Sequence, residues 1–343
     1  MLPSMTSTQF SPQLALQQML GGASTASLIY VAAELGLADI LTDGPLSVSE
    51  LASRTSCHAG ALERILRGLT IIGVLSASDN GEHYALTELG GALRSDIPNS
   101  VRPAARLMGN PIVLQAWGGL LHTARTGETA FEHAVGSDFL TYFLANQDFA
   151  RTFNAFMGRI TADVTPAVVS AYDFTDTRTL VDVGGGNGTL LRAILGSYPA
   201  ASGFVFDLPH VEVQAEQAIA NDNLAARCRF IAGDFFERVP AAADVYLLKS
   251  VLHDWDDTRC LAILKSVHAA MRPDSRLLIV ERPLAMEPDV VMSDLTMLAM
   301  VPGGRERTES EYRALLEQAG LRLNTVVQTS ASACILEARQ AAA

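Results

Sequence analysis

His253 and Asp254 follow the apolar run that ends at Leu248, roughly one helical turn beyond Lys249. An imidazole is the side chain best suited to take a proton near neutrality, because its ordinary pKa is about 6.5. Phenols, with a pKa of about 10, are the hydroxyls that such a base helps most readily. Glu281 and Glu306 are carboxylates able to hydrogen-bond the second ring nitrogen and so hold one tautomer. A histidine beside acids at a helix start also reads as a plain surface residue. This stretch by itself leaves both readings open.

A second constellation begins at Leu180–Val183, a short apolar run that reads as a buried parallel strand. Gly184, Gly186 and Gly188 turn the chain into the amphipathic stretch 190–195, and glycine lets backbone approach a ligand closely. Asp207 closes a second strand, 203–207, about 20 residues on, where a carboxylate can grip a ribose hydroxyl pair. Thr189 stands where a dinucleotide site needs its third small residue, so the spacing is G-x-G-x-G. That form belongs to nucleoside sites without a diphosphate, S-adenosylmethionine sites above all. A bare glycine turn is the competing reading, and Asp207 weighs against it. Asp234, at the end of a third strand, either accepts from an adenine amino group while Phe235 packs on the ring, or is just an N-cap.

Positioning these residues requires an open α/β sheet. Strands and helices alternate from Tyr172 onward, with strands expected at 229–231, 244–249, 276–281, 321–327 and 333–336. Their carboxyl ends gather Gly184, Asp207, Asp234, Lys249 and Glu281 around one crevice. Ahead of this Rossmann-like domain, expected at 171–343, the chain reads as a mainly helical winged-helix domain at 12–105. Helical spacing runs from Leu14 to Leu41; Ser47 to Glu50 is a capping box; a third helix spans 59–72; and 74–86 forms a hairpin. A helical bridge at 106–170 carries Phe149, Phe153, Met157 and Ile160 on one face. Such a stripe is ordinarily core, yet Trp117, Phe131 and Met157 could equally wall a planar aromatic substrate.

Composition narrows the function. The formal charge of −12 argues against a nucleic-acid partner. Residues 1–105 hold five arginines and nine acidic residues, so a dimerisation module is favoured over a DNA reader. No apolar run reaches membrane-spanning length, and a cytoplasmic protein is expected. Cys57, Cys228, Cys260 and Cys334 lack zinc-type spacing, and no metal is expected.

Taken together, the glycine loop, Phe206–His210, Gly233–Phe236, His253–Trp255 and Pro302–Thr308 resemble the plant caffeate-type and bacterial natural-product O-methyltransferases. The likeness runs from about residue 14 to the end. It implies a class I methyltransferase fold, S-adenosylmethionine as cofactor, no metal, and a homodimer built on the N-terminal domain. His253 is then the general base, Glu281 and Glu306 flank it, and Asp254 contacts the substrate. Gly184, Gly186, Asp207, Leu208, Asp234, Phe235 and Lys249 hold the cofactor, with Trp255 near the adenine. Phe149, Phe153, Met157, Ile160, Met297 and Val301 line the acceptor pocket. Plant members carry histidine in the Ile160 place and asparagine in the Val301 place. The more apolar lining here points away from caffeate and toward an aromatic or polycyclic secondary metabolite. The competing functions are N- or C-methylation, a non-methylating use of the fold such as hydroxylation or pericyclic chemistry, and a winged-helix regulator.

Overall fold

The computed structural model describes residues 11–341, and these divide into two units. One holds the described residues up to Trp117 with Phe143–Phe156; the other holds Gly118–Tyr142 and the described residues from Met157 on. Residues of the 106–170 segment are therefore shared between them, and the helix Gln147–Ala171 runs from one into the other.

In the first unit the helical spacing over 14–41 is not one helix. It breaks at Gly21 and Gly36 into Pro12–Leu20, Gly22–Glu34 and Leu37–Ile40, and Gly36 takes a left-handed φ of +64°. The capping box forms as expected: Ser47 Oγ accepts from Glu50 N–H, and the Glu50 carboxylate accepts from Ser47 N–H, starting the helix Val48–Thr55. The helix Ala59–Ile71 buries Leu62, Leu66 and Leu69, and its outward Arg67 is ion-paired with Glu63. Strands β1 (Leu46–Ser47), β2 (Leu75–Ala77) and β3 (His83–Leu86) pair antiparallel in the order β1-β3-β2, with the expected hairpin joining the last two.

The second unit carries strands β4 (Thr179–Val183), β5 (Ser202–Asp207), β6 (Cys228–Ala232), β7 (Val245–Lys249), β8 (Arg276–Glu281), β9 (Leu321–Gln328) and β10 (Cys334–Gln340). Their order is β6-β5-β4-β7-β8-β10-β9. The first five are parallel, and β10 runs antiparallel to both neighbours. Burial on both faces explains the unbroken apolar runs. Val181, Val183, Leu248 and Ile279 pack into one apolar cluster, whereas Leu180, Val245, Leu247 and Val280 pack into the other. Strand order reverses at β4, with β5 on one side and β7 on the other. A crevice opens at such a point, at the carboxyl ends of the strands.

The glycine loop serves packing. Gly188 N-caps the helix Thr189–Ser197 with φ +76°, and a Cβ there would come 2.5 Å from Val205 Cγ2. Gly188→Ala is therefore expected to destabilise the protein by about 2–4 kcal/mol, combining left-handed strain with overpacking. Urea unfolding of the variant checks this; a loss below about 0.5 kcal/mol would show that the loop relaxes freely.

Candidate active site

The chain leaves β7 through Ser250, held at a left-handed φ of +52°, and enters the 3₁₀ turn Leu252–Asp254 that bears His253. The buried ring lies between carboxylates. Its Nδ1 is 3.2 Å from Glu306 Oε1 and 3.8 Å from Glu281 Oε2, and its Nε2 is 3.5 Å from Asp254 Oδ1. The two glutamates expected to flank the ring divide the work. Glu306 is the ring's hydrogen-bond partner. Glu281 instead accepts from the Val251 and Leu252 N–H groups, both at 3.1 Å, and so anchors the loop. Ser293 Oγ donates to Glu306 Oε1 at 2.7 Å, and Glu306 N–H donates to Asp294. A neutral ring that donates from Nδ1 to Glu306 leaves Nε2, on the Asp254 side, as the acceptor. Asp254 itself keeps 44 % of its side chain exposed.

Burial alone would push the imidazole pKa down. The charges of Glu281, Asp254 and Glu306, with the ring's hydrogen bond to Glu306, outweigh it and raise the pKa to about 10. Burial likewise pushes Glu306 up, but hydrogen bonding to His253 and the charge of that ring hold it below the usual carboxylate range. Glu281 is raised, by burial first and then by Glu306 and Asp254, which outweigh the lowering effect of His253. The ring and both glutamates present ligand atoms within 4.8 Å of one another, a set that could hold a metal ion. Ligand spacing in the sequence gave no sign of it, because the three residues come from three separate segments.

Across the crevice the glycine loop meets β5. Asp207 Oδ2 accepts from Gly186 N–H at 2.8 Å and Oδ1 from Leu208 N–H at 2.6 Å, so the carboxylate lies at the loop. A Cβ on Gly186 would meet nothing within 4 Å, whereas one on Gly184 would come 2.9 Å from Val251 Cγ2. Asp234 Oδ1 accepts from Phe236 N–H, which caps a turn rather than a helix and leaves Oδ2 to face a ligand. Trp255 stands edge-on to Phe235 and Phe236, and the Arg259 guanidinium lies 5.0 Å from its ring centre. Lys249 Nζ donates to Thr161 Oγ1 and Ser250 Oγ, and burial lowers its pKa despite Glu281 and Asp182. Beneath the loop lies Asp182, a buried carboxylate not singled out from sequence, pushed up to about 7 by burial. An open backbone, a carboxylate at the loop and an aromatic wall suit an adenosine group.

Met157, Ile160, Met297 and Val301 all belong to the second unit and are half-buried. Met157 and Ile160 lie within a turn of Thr161, which meets the end of β7. Met297 lies one turn beyond Ser293 and Asp294 on the helix Pro288–Met300. Phe149 and Phe153 belong to the first unit, where Phe149 is buried and Phe153 stands edge-on to Phe143. Phe131 is no pocket wall: it is fully buried against Phe139 and Tyr142. Sequence reasoning also passed over Ser293, Asp257 and Arg307, the last of which is fully buried.

With this geometry in place, comparison with known proteins is decisive. The O-methyltransferase domain family matches residues 117–322, and the O-methyltransferase dimerisation domain matches residues 17–96. The chain belongs to the O-methyltransferase family. It is 40 % identical over 327 residues to the phenazine O-methyltransferase PhzM of Lysobacter antibioticus, covering 94 % of this chain and 95 % of that protein. The solved mitomycin 7-O-methyltransferase MmcR superposes with a TM-score of 0.92 at 38 % identity, over 96 % of this chain and 98 % of that one. An O-methyltransferase of neocarzinostatin biosynthesis, solved with S-adenosylmethionine and 2-hydroxy-5-methyl naphthoic acid, superposes with a TM-score of 0.84. It is 31 % identical, over 92 % of this chain and 96 % of that one. This O-methyltransferase accordingly has the class I α/β fold with a mainly helical N-terminal region, and uses S-adenosylmethionine. No described helix is long and apolar enough to cross a membrane.

The raised pKa of His253 has a consequence for stability. The imidazolium's contribution is fully present below about pH 6.5 and is lost as pH rises through about 10. The melting-temperature gap between wild type and His253→Ala should be widest at about pH 6 and shrink toward about pH 10. A gap constant across that range would contradict the charge assignment.

Proposed function

We propose that this enzyme methylates a phenolic hydroxyl of an aromatic or polycyclic secondary metabolite, with His253 as general base and no metal. The carrying observation is the orientation of the ring: Nδ1 is held by buried Glu306, and Nε2 is left on the Asp254 side. The apolar Met157, Ile160, Met297 and Val301 suit a flat aromatic acceptor. The phenazine and naphthoic acid in the names of its relatives are acceptors or ligands of that kind.

When bound, S-adenosylmethionine supplies a methyl group made electrophilic by its sulfonium. Gly184, Gly186, Asp207, Leu208, Asp234, Phe235, Lys249 and Trp255 would hold it. Asp254 contacts the acceptor. His253 Nε2 takes the acceptor's hydroxyl proton, and Glu306 stabilises the imidazolium that forms. The rest of catalysis is placement. A metal is unnecessary in this reading, because the Nδ1 proton lies between the two carboxylates where an ion would otherwise balance their charge. The enzyme works in the cytoplasm as a homodimer through its N-terminal domain, and not on nucleic acid. Leu14, Leu16, Met19 and Leu20 of the helix Pro12–Leu20 are exposed and offer an apolar dimer face, and the acidic balance disfavours duplex binding.

Incubation with methyl-labelled S-adenosylmethionine and a panel of phenols should put label on oxygen, and His253→Ala should lower kcat by about 10²–10⁴-fold with cofactor binding retained. Full activity in the variant would remove the base, and label on nitrogen or carbon would change the reaction. EDTA should leave the rate unchanged; a loss restored by one divalent ion would bring the metal back. For a single acceptor, kcat/KM should rise with pH to an inflection well above about 6.5, and Glu306→Gln should lower that inflection. Size-exclusion chromatography with light scattering should give a dimer, and Leu16→Glu with Leu20→Glu a monomer; an unchanged dimer would place the interface elsewhere.

A further inference from the structure

Arg307 is fully buried, an expensive location for a charge unless every donor is used. Its guanidinium reaches across to the loop that bears His253. Nη1 donates to Leu252 O at 2.8 Å, and Nη2 to Trp255 O at 2.6 Å, so the fork grips the carbonyls on either side of the His253–Asp254 pair. Nε and Nη2 both reach Asp257 Oδ1, at 3.0 and 2.9 Å, which balances the charge. The preceding residues reinforce the grip: Arg305 N–H donates to His253 O at 2.8 Å. A Cβ on Gly304 would stand 3.1 Å from that same carbonyl, so the two segments lie in close contact.

We propose that Arg307 is a positioning residue, acting through His253 by clamping both ends of its turn and so setting the height of Nε2 at the crevice. The idea rests on His253 being the base. A planar fork with five donors does this, and a lysine ammonium, a point charge on a flexible stem, does not. Glu281 holds the same turn from its other side through the Val251 and Leu252 N–H groups. The turn is thus gripped by N–H groups on one side and by carbonyls on the other. Displacement of a reacting group by about 1 Å can cost about a hundredfold in rate.

The test is a double-mutant cycle between positions 307 and 253, with kcat measured well below each variant's melting temperature and the cofactor Kd measured by calorimetry. Arg307→Lys should lower kcat at least tenfold with the cofactor Kd within about threefold of wild type, and it should cause no further loss in residual transfer when added to His253→Ala. A kcat within twofold of wild type would overturn the proposal. So would an equal loss in the His253→Ala background, which marks a role that does not pass through the base. Should Arg307→Lys fail to fold, Asp257→Asn loosens the clamp while keeping the guanidinium. A several-fold fall in kcat that vanishes in His253→Ala then supports the role, and an unchanged kcat overturns it. Full activity in His253→Ala alone would instead defeat the base assignment, and the present proposal with it.

Discussion

The Glu306 carboxylate buried against the His253 ring is the contact on which the rest of this structure depends. A carboxylate hidden from water is tolerable only beside a compensating charge or dense hydrogen bonding. The ring at 3.2 Å and the Ser293 hydroxyl both meet Oε1. Oε2 is buried with no hydrogen-bond partner among the described residues, so the charge of the ring is the main compensation. The same pairing fixes the ring's orientation and raises its affinity for a proton. One interaction therefore couples folding energy to the chemistry of the site.

The fold makes that contact possible by bringing distant segments to one edge. β7 and β8 run parallel with Lys249 opposite Val280, so the His253 loop leaves the sheet beside Glu281. Glu281 also lies opposite Cys334 of β10, which keeps its strand from being an edge. Helix Pro288–Met300 carries Ser293 and Asp294 to Glu306. Glu306 in turn sits between Arg305 and Arg307, both bonded to the His253 turn. At the neighbouring strand ends the glycine loop and Asp207 bond to one another, so the two halves of the crevice grow from adjacent strands.

Much of this was legible in the sequence, and what was not has a common cause. The strands of the large sheet announced themselves as apolar runs, because burial on two faces leaves no room for polar alternation. The meeting of the glycine loop with Asp207 was legible because local spacing carries it, whereas the spacing around His253 by itself left two readings open. The separate roles of Glu281 and Glu306, the clamp of Arg307 and the hydroxyl of Ser293 were not legible. Each depends on which oxygen or nitrogen faces which across a long sequence separation, and no periodicity records that. Gly188 was expected to admit a ligand and also proves to yield room to Val205, a contact between different strands' elements. The breaks at Gly21 and Gly36 were hidden by apolar spacing that continues through them.

The most direct test is to measure the ionisation of His253 itself by ¹⁵N-histidine NMR, in the free wild-type enzyme and in Glu306→Gln. The expected result is a wild-type pKa well above the ordinary value of about 6.5, falling toward it when the carboxylate is made neutral. A wild-type value near about 6.5, or one that Glu306→Gln leaves unmoved, would contradict it.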